Sequence, residues 1–417
     1  MDALKIFNLL VAAAFFLCYA YQFYYIPVAW FRKRKPHGPE TLHRFAVLIA
    51  ARNESAVIGN LLDSLRAQNY PAELLDLYVV ADNCTDDTAA IAASRGARVW
   101  QRFNTHRVGK GYALEFLLDR VCLTAEQEYD GFLVFDADNL VDPDFVRQIN
   151  RTYCDGYSVV TCYRNTKNYG DNWISAGYGL WFLREARYLN DPRMKRGTSC
   201  AVSGTGFFFS RQVLEQCGGW KFFCLTEDIE FSIRNVTNGV RIGYCPEAVI
   251  YDEQPTEFVQ SWNQRLRWSK GYLQVLQRYG GELASGMLRG SFSCYDMMMN
   301  ILPAQILTLL SCGVNLTAAV IGLWNGIPAE TFLLPFLQTL AGMYGTLFFL
   351  GFVTTVTEWK KIRCSALRKI GYAFTFPLFM MTYFPIYVVS LFKPVKWVPI
   401  RHRRSLTLEQ VCAVKEK

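Results

Sequence analysis

Hydrophobic positions fall into three textures along this chain. Leu4 to Phe31 is almost wholly apolar and aromatic, about long enough to span a bilayer. From Phe45 to about Tyr251, short apolar runs alternate with segments of helical spacing. Phe45–Ala50, Leu75–Ala81, Ala97–Trp100 and Gly131–Phe135 predict strands, their unbroken apolar stretches suiting a sheet covered on both faces. Ile58, Leu61, Leu62 and Leu65 recur at helical spacing in a helix opened at Ser55 and closed by Pro71. Two more helices are predicted over Thr85–Ser94 and Lys110–Val121, the first capped by Thr85 with Asp86 and Asp87 in its first turn. This alternation predicts an α/β domain with a parallel sheet and helices on both faces.

Beyond Tyr251 the texture changes. Thr256–Leu283 interleaves Phe258, Trp262, Leu266 and Trp268 with Arg265, Arg267, Lys270 and Arg278, an amphipathic basic helix suited to a membrane surface. Met297–Trp324 and Phe332–Val356 are each long and apolar enough to cross a bilayer. The last apolar run, Ile370–Phe392, contains Pro377 and Pro385 and has basic residues on both sides: Lys369 before it, Lys393, Lys396, Arg401 and Arg403 after. That flanking predicts a broken, re-entrant or interfacial hairpin. The expected organisation is an anchor over 1–35, a cytosolic domain over 42–255, an interface helix over 256–290, membrane segments over 291–395 and a basic cytosolic tail over 396–417.

Charge orients these pieces. The cluster Arg32-Lys33-Arg34-Lys35 follows the first apolar run instead of preceding it, which suits a retained anchor and not a cleaved leader. The 324–331 loop lacks lysine and arginine, whereas Lys360, Lys361, Arg363, Arg368 and Lys369 follow the next span. Basic residues gather inside, so the domain is expected in the cytosol, against a cell membrane. A net charge of +8 concentrated beside apolar runs, with no nucleic-acid motif, argues against a nucleic-acid partner. The 13 cysteines stand singly, with no C-x-x-C pair, which suits free thiols in a reducing compartment.

The candidate chemistry lies at strand ends. Asp136-Ala137-Asp138 closes the Gly131–Phe135 strand, and parallel sheets bind ligands outside the carboxyl ends of their strands. Two carboxylates converging there call for a hard cation such as Mg²⁺, which brings a substrate's phosphates with it; a plain turn is the alternative. Glu54, in Ala51-Arg52-Asn53-Glu54, follows the first strand, and Asp82 ends the second. Lys110 stands between Gly109 and Gly111, which permit close backbone approach. Thr226-Glu227-Asp228 offers either a helix start or a carboxylate able to take a proton from a hydroxyl. In Gln264-Arg265-Leu266-Arg267-Trp268, positions 264, 267 and 268 share one helix face, presenting an amide, a guanidinium and an indole together.

In this order the motifs resemble the family 2 glycosyltransferases, and within them the membrane-bound processive synthases of cellulose, hyaluronan, chitin and poly-N-acetylglucosamine. The resemblance covers roughly Phe45 to Trp268. It implies a GT-A (Rossmann-like) domain with transmembrane helices before and after it. By the same resemblance, Glu54, Asp82, Lys110, Asp136, Gln264 and Arg267 bind a nucleotide sugar, expected to be UDP-linked. Asp138, with Asp136, holds Mg²⁺ or Mn²⁺. Thr226, Glu227, Trp268 and Gly206, the last within Ser203-Gly204-Thr205-Gly206, serve the acceptor, and Asp228 is the general base of an inverting transfer. The implied product is a β-linked polysaccharide or oligosaccharide, or alternatively a membrane lipid bearing one sugar. A sugar transporter is disfavoured because the spans Met297–Trp324 and Phe332–Val356 carry no charge. So few helices imply a partner subunit or homo-oligomer if a sugar channel is to form.

Overall fold

The computed structural model describes residues 2–124, 128–400, 402 and 404–413; Arg401 and Arg403 of the second basic cluster, and 414–417 of the expected tail, lie outside the described residues. The chain begins with α1 (Asp2–Phe31) and then alternates β1 (Phe45–Ala51), α2 (Ile58–Arg66), β2 (Leu75–Asp82), α3 (Thr88–Ser94), β3 (Arg98–Arg102), α4 (Lys110–Thr124) and β4 (Gly131–Asp136). There follow β5 (Leu140–Val141), α5 (Phe145–Cys154), β6 (Val159–Thr166), α6 (Trp173–Arg184), α7 (Asp191–Arg196), β7 (Phe207–Ser210), α8 (Arg211–Gln216), α9 (Glu227–Thr237) and β8 (Ile242–Asp252).

Side chains alternate across each strand, so one apolar strand feeds two cores. Phe45, Val47 and Ile49 of β1 pack with Ile58, Leu61, Leu62 and Leu65 of α2. Ala46 and Leu48 pack on the other face with Leu114, Leu117 and Val121 of α4. The eight strands run β3-β2-β1-β4-β7-β6-β8-β5 in one sheet. β1 pairs in parallel with β2 and β4, and β2 with β3, as the alternation predicts. The rest is mixed: β7 is antiparallel to β4 and β6, and β5 to β8. The expectation of a parallel sheet fails there for a clear reason. Parallel pairing needs a crossover laid on the sheet, but α6 and α7 pack toward α1 and the C-terminal helices, and the chain returns antiparallel.

The helices of the remainder are α10 (Phe258–Leu288), α11 (Phe292–Ile301), α12 (Pro303–Trp324), α13 (Glu330–Thr357), α14 (Ala366–Met381), α15 (Tyr383–Phe392) and α16 (Leu408–Ala413). Among the described residues, four stretches are long and apolar enough to cross a membrane: Ala3–Phe31, Ile306–Trp324, Glu330–Thr357 and Ala366–Phe392. The expected span Met297–Trp324 is broken at Leu302. Pro303 cannot continue the helix of α11, and α11 is tied to the domain by a buried cluster. Asp296 accepts two bonds from Arg193 of α7 (both 2.7 Å) and one each from Tyr21 (2.7 Å) and Tyr25 (3.1 Å) of α1. The last run is interrupted at Thr382, within the turn before Pro385, whose missing N–H leaves the Met381 carbonyl without its helical bond; Pro377 lies inside α14. Arg265 of α10 donates there to the Phe379 carbonyl (3.1 Å) and to Thr382 Oγ1 (2.6 Å).

Candidate active site

Because β1, β2, β4, β6 and β8 all point the same way, their carboxyl ends form one edge, and β7 starts there. This edge delivers Asp82, Asp136, Arg164 and Asp252 to a single cavity of about 1540 Å³. Glu54, Lys110, Asp138, Thr226, Glu227, Asp228, Gln264, Arg267 and Trp268 line the same cavity, so almost every residue expected from the sequence converges. Gly206 is the exception. It packs behind the wall, where a Cβ would lie 2.5 Å from Cys162 Sγ, and its φ of +64° favours glycine. Its neighbour Gly204 lines the cavity instead. Gly111 also serves packing: a Cβ there would sit 2.0 Å from the Phe222 carbonyl oxygen, so its close approach is to this backbone and not to a ligand.

The charged groups on the strand side are individually fixed. Arg102 donates to the buried Asp82 carboxylate at 2.5 Å. Lys110 Nζ donates to Asp136 Oδ1 (2.5 Å) and to the Gly204 carbonyl (2.7 Å). Burial opposes charge on Lys110, but Asp136 and Glu227 outweigh it and hold its pKa above the ordinary value. Arg164 pairs with Asp252 at 2.5 Å and lies 3.7 Å over the Phe182 ring. Asp138 is 4% exposed; its Oδ2 accepts from the Glu253 amide (2.7 Å), while Oδ1 has only a long 3.4 Å contact from Asn139. Burial pushes Asp138 up, yet His402, Lys167 and the Glu253 amide together hold it below the usual carboxylate range.

The helical side supplies the remaining groups. Glu227 and Asp228 open α9, where helix N-termini favour carboxylates. Thr226 does not cap this helix with its side chain, contrary to the capping reading: its Oγ1 is buried without a hydrogen-bond partner. Gly271 of α10 crosses directly over it, since a Cβ there would lie 2.5 Å from that oxygen. The close crossing packs α10 on α9, and Gln264, Arg267 and Trp268 line the same cavity as Asp228. Arg267 donates to the Leu225 carbonyl (2.6 Å), Gln264 Oε1 is buried and unpartnered, and Trp268 packs edge-on to Tyr178 (5.7 Å). Burial, then the adjacent Asp228, pushes Glu227 up to about 7. Asp228 is raised by burial as well. Thr85 does not cap α3 either; Asp86 accepts from the Thr88 amide at the helix start (3.1 Å) and ties that turn to the Ser55 amide (3.1 Å).

Several wall residues carried no sequence signal. The segment expected as a basic tail folds back over the cavity. Trp397, Val398, Pro399, Ile400 and His402 line it, Arg52 lies 5.3 Å over Trp397, and His402 Nδ1 meets Glu54 at 2.9 Å. Burial opposes charge on His402, but Asp138 and then Glu54 outweigh it and raise the imidazole to about 10. Val411 of α16 then buries against Leu140 and Tyr251. Asp252 and Glu253, at the end of β8, could have been found by the strand-end rule that found Asp136; His402, 348 residues from Glu54, could not.

From Trp268 and Tyr272 the cavity continues between the long apolar helices. Phe15, Tyr19, Ala319, Phe336, Leu347 and Phe376 are among its walls there, and Asn8 and Asn315 pair their amides across α1 and α12 (2.9 and 2.8 Å). One end is lined by carboxylates and the other by hydrocarbon.

Beta-monoglucosyldiacylglycerol synthase of Synechocystis sp. is 29% identical over 234 residues, 55% of this chain and 47% of its own length. The chain thus spans about half the length of that relative. Poly-beta-1,6-N-acetyl-D-glucosamine synthase of Staphylococcus aureus is 24% identical over 283 residues, covering 67% of this chain and 65% of its own. Among solved structures, mannosyltransferase PcManGT from Pyrobaculum calidifontis, in complex with GDP-Man and Mn²⁺, is similar with a TM-score of 0.59 over 93% of this chain and 99% of that one. At 17% identity it speaks for the fold alone. Residues 43–271, more than half of the sequence, match the model for "Glycosyltransferase like family 2", and the chain belongs to that family.

Proposed function

We propose that this chain is a membrane-bound, inverting glycosyltransferase that moves a sugar from a nucleoside diphosphate to a hydroxyl of a membrane lipid, with its domain on the cytosolic side. The observation that carries this reading is the continuity of the cavity, from Asp136, Asp138 and Asp228 into an apolar arm walled by α1, α12 and α13. A lipid places its tails in such an arm while its headgroup reaches the polar end. Of the two acceptors named from sequence, the apolar arm favours the lipid over the growing polysaccharide.

Asp82, held by Arg102, and Glu54 serve the nucleoside; Lys110 and Arg267 face the diphosphate, and Gln264 offers its unpartnered Oε1 nearby. The donor set fits a hard divalent ion: Asp138 is held ionised with Oδ1 nearly free, and Asp136 stands beside it. Among the described residues, no three acidic, histidine or cysteine groups enclose an ion by themselves, so phosphate oxygens would complete its shell. When bound, Mg²⁺ or Mn²⁺ stabilises charge growing on the leaving diphosphate. Asp228 accepts the acceptor hydroxyl's proton as its oxygen attacks the sugar's anomeric carbon. The bond from that carbon to the diphosphate breaks with its electron pair on the nucleotide, and attack from the opposite face inverts the centre. Trp268 floors the acceptor sugar or headgroup, with Thr226 and Glu227 beside it.

A polymer remains the second reading, supported by the Gln264–Arg267–Trp268 face and the similarity to a polysaccharide synthase. Purified protein in vesicles, screened against labelled UDP-glucose, UDP-galactose and UDP-N-acetylglucosamine, separates the two. Organic-soluble label is expected; label confined to long water-soluble chains would remove the lipid reading.

A further inference from the structure

The membrane end of the cavity holds a strong charge for which the transfer chemistry has no use. Arg184 closes α6, where the helix passes into a π-helical turn over Glu185–Asn190, a local widening often found at functional positions. Arg184 and Glu185 both line the cavity. The Arg184 guanidinium is 8% exposed and has five donors. Gln22 Oε1 of α1 accepts one of them, 2.6 Å from Nη2, and Nε is buried with no partner. Trp181 lies 5.3 Å beneath the guanidinium.

Its two neighbours show what a satisfied arginine looks like here. Arg164 is neutralised by Asp252 and donates to the Ser203 carbonyl; Arg193 is held on both sides by Asp296. Arg184 has no carboxylate within ion-pair distance among the described residues. Burial pulls its pKa down to about 10. The adjacent Glu185 acts on it but is turned to Ser203 and does not pair with it; a buried cation held short of an ion pair is costly, and that cost is relieved when an anion arrives.

Position says which anion. Gln22 lies near the carboxyl end of the apolar α1, in a tyrosine-rich stretch (Tyr19, Tyr21, Tyr24, Tyr25) ahead of the basic cluster Arg32–Lys35, the part of a span that lies near headgroup level. Toward the reaction centre, Glu185 accepts from Ser203 Oγ (3.1 Å), and next to Ser203 a Cβ on Gly204 would stand 3.9 Å from Asp228 Oδ2. Arg184 therefore lies between the base and the apolar arm, while Lys110 and Arg267 already face the donor's diphosphate.

Building on the lipid-acceptor reading, we propose that Arg184 binds the phosphate of an acidic phospholipid whose headgroup hydroxyl is the acceptor. The guanidinium then fixes the headgroup by charge-assisted hydrogen bonds, with the reacting hydroxyl beyond the phosphodiester at Asp228. Neutral lipid of the same tail length lacks this anchor.

The full chain would be placed in phosphatidylcholine vesicles carrying either phosphatidylglycerol or diacylglycerol and given the donor identified by the UDP-sugar screen. Label is expected to enter the organic phase with phosphatidylglycerol. Arg184→Gln should raise the apparent KM for that lipid about tenfold to a hundredfold, leave kcat and the donor KM near wild type, and be partly rescued in Arg184→Lys. Equal use of diacylglycerol with no response to Arg184→Gln overturns the proposal while leaving the lipid-acceptor reading standing. A rise in donor KM instead overturns it by putting the guanidinium on the nucleotide. Label found only in water-soluble polymer overturns both readings. Should Arg184→Gln fail to fold, wild-type competition decides: phosphatidylglycerol must displace diacylglycerol as acceptor, and the reverse order refutes the assignment.

Discussion

The two ends of the one cavity are built on opposite rules. At the strand end, most charges are clamped by a neighbour: Asp82 by Arg102, Asp136 by Lys110, Glu54 by His402, Arg164 by Asp252. At the membrane end, walls of Phe, Leu and Ala offer shape without fixed partners, and a buried charge, Arg184, is left largely unpaired. The contrast supports the proposed division of labour between the two ends. Preorganised charges stabilise a leaving diphosphate without reorganising, whereas an apolar arm accepts tails by burial alone, which is nondirectional.

Mutations can test that division in order of expected effect. Asp138→Ala at the strand end should cost more than about 10⁴-fold in turnover, since it removes both a carboxylate and the metal-dependent grip on the diphosphate. Calorimetry of UDP with Mn²⁺ should then show the metal-dependent part of binding lost; retained metal-dependent binding would move the cation elsewhere. Asp228→Asn should lower kcat by about 10³-fold, within the range for a general base, while UDP affinity stays unchanged. Full activity in that variant would remove the base. At the other end, Ala319→Trp should fill part of the arm and reduce transfer to lipid by about tenfold, the scale of overpacking by 1–3 kcal/mol, with donor KM unaltered. An equal loss in donor binding would mean that the two ends are not separable.

The smallest effect concerns protons. Burial, with the neighbouring Asp228 adding to it, raises Glu227 to about 7, and burial raises Asp228. The base works only when ionised, and burial raises Asp228 above the ordinary carboxylate range, so activity should fall as pH is lowered and level off on the alkaline side of that limb. Glu227→Gln removes the like charge, lowers the Asp228 pKa, and should move this acid limb to lower pH. A limb that stayed in place would show that Glu227 does not govern the base.

Legibility in the sequence follows the same division. β1 and β4 were readable because both faces of each strand are buried, leaving uninterrupted apolar runs, the second of which leads into Asp136 and Asp138. The Gln264–Arg267–Trp268 face was readable because helical periodicity alone brings those positions together. The break at Leu302 had a local mark in Pro303, but the apolar run on either side hid it, and the hold of Arg193 on Asp296, which ties α11 to the domain, has no local mark. Gly206 misled because a glycine between a packed sulfur and an isoleucine has the same letter as one facing a sugar. Thr226 misled because its hydroxyl is buried against Gly271, from a helix far along the chain, where it meets no hydrogen-bond partner. The fold-back of Trp397–His402 depends on contacts with Arg52 and Glu54 that leave no local periodicity to detect.

The apolar arm also bears on how the protein is handled outside its membrane. A space of this size and lining admits the alkyl chain of a solubilising surfactant, which would compete with the natural occupant. Activity measured in micelles should therefore decline as surfactant rises and return on transfer to a bilayer. The nucleotide's affinity, set at the far end of the same hollow, would stay constant throughout.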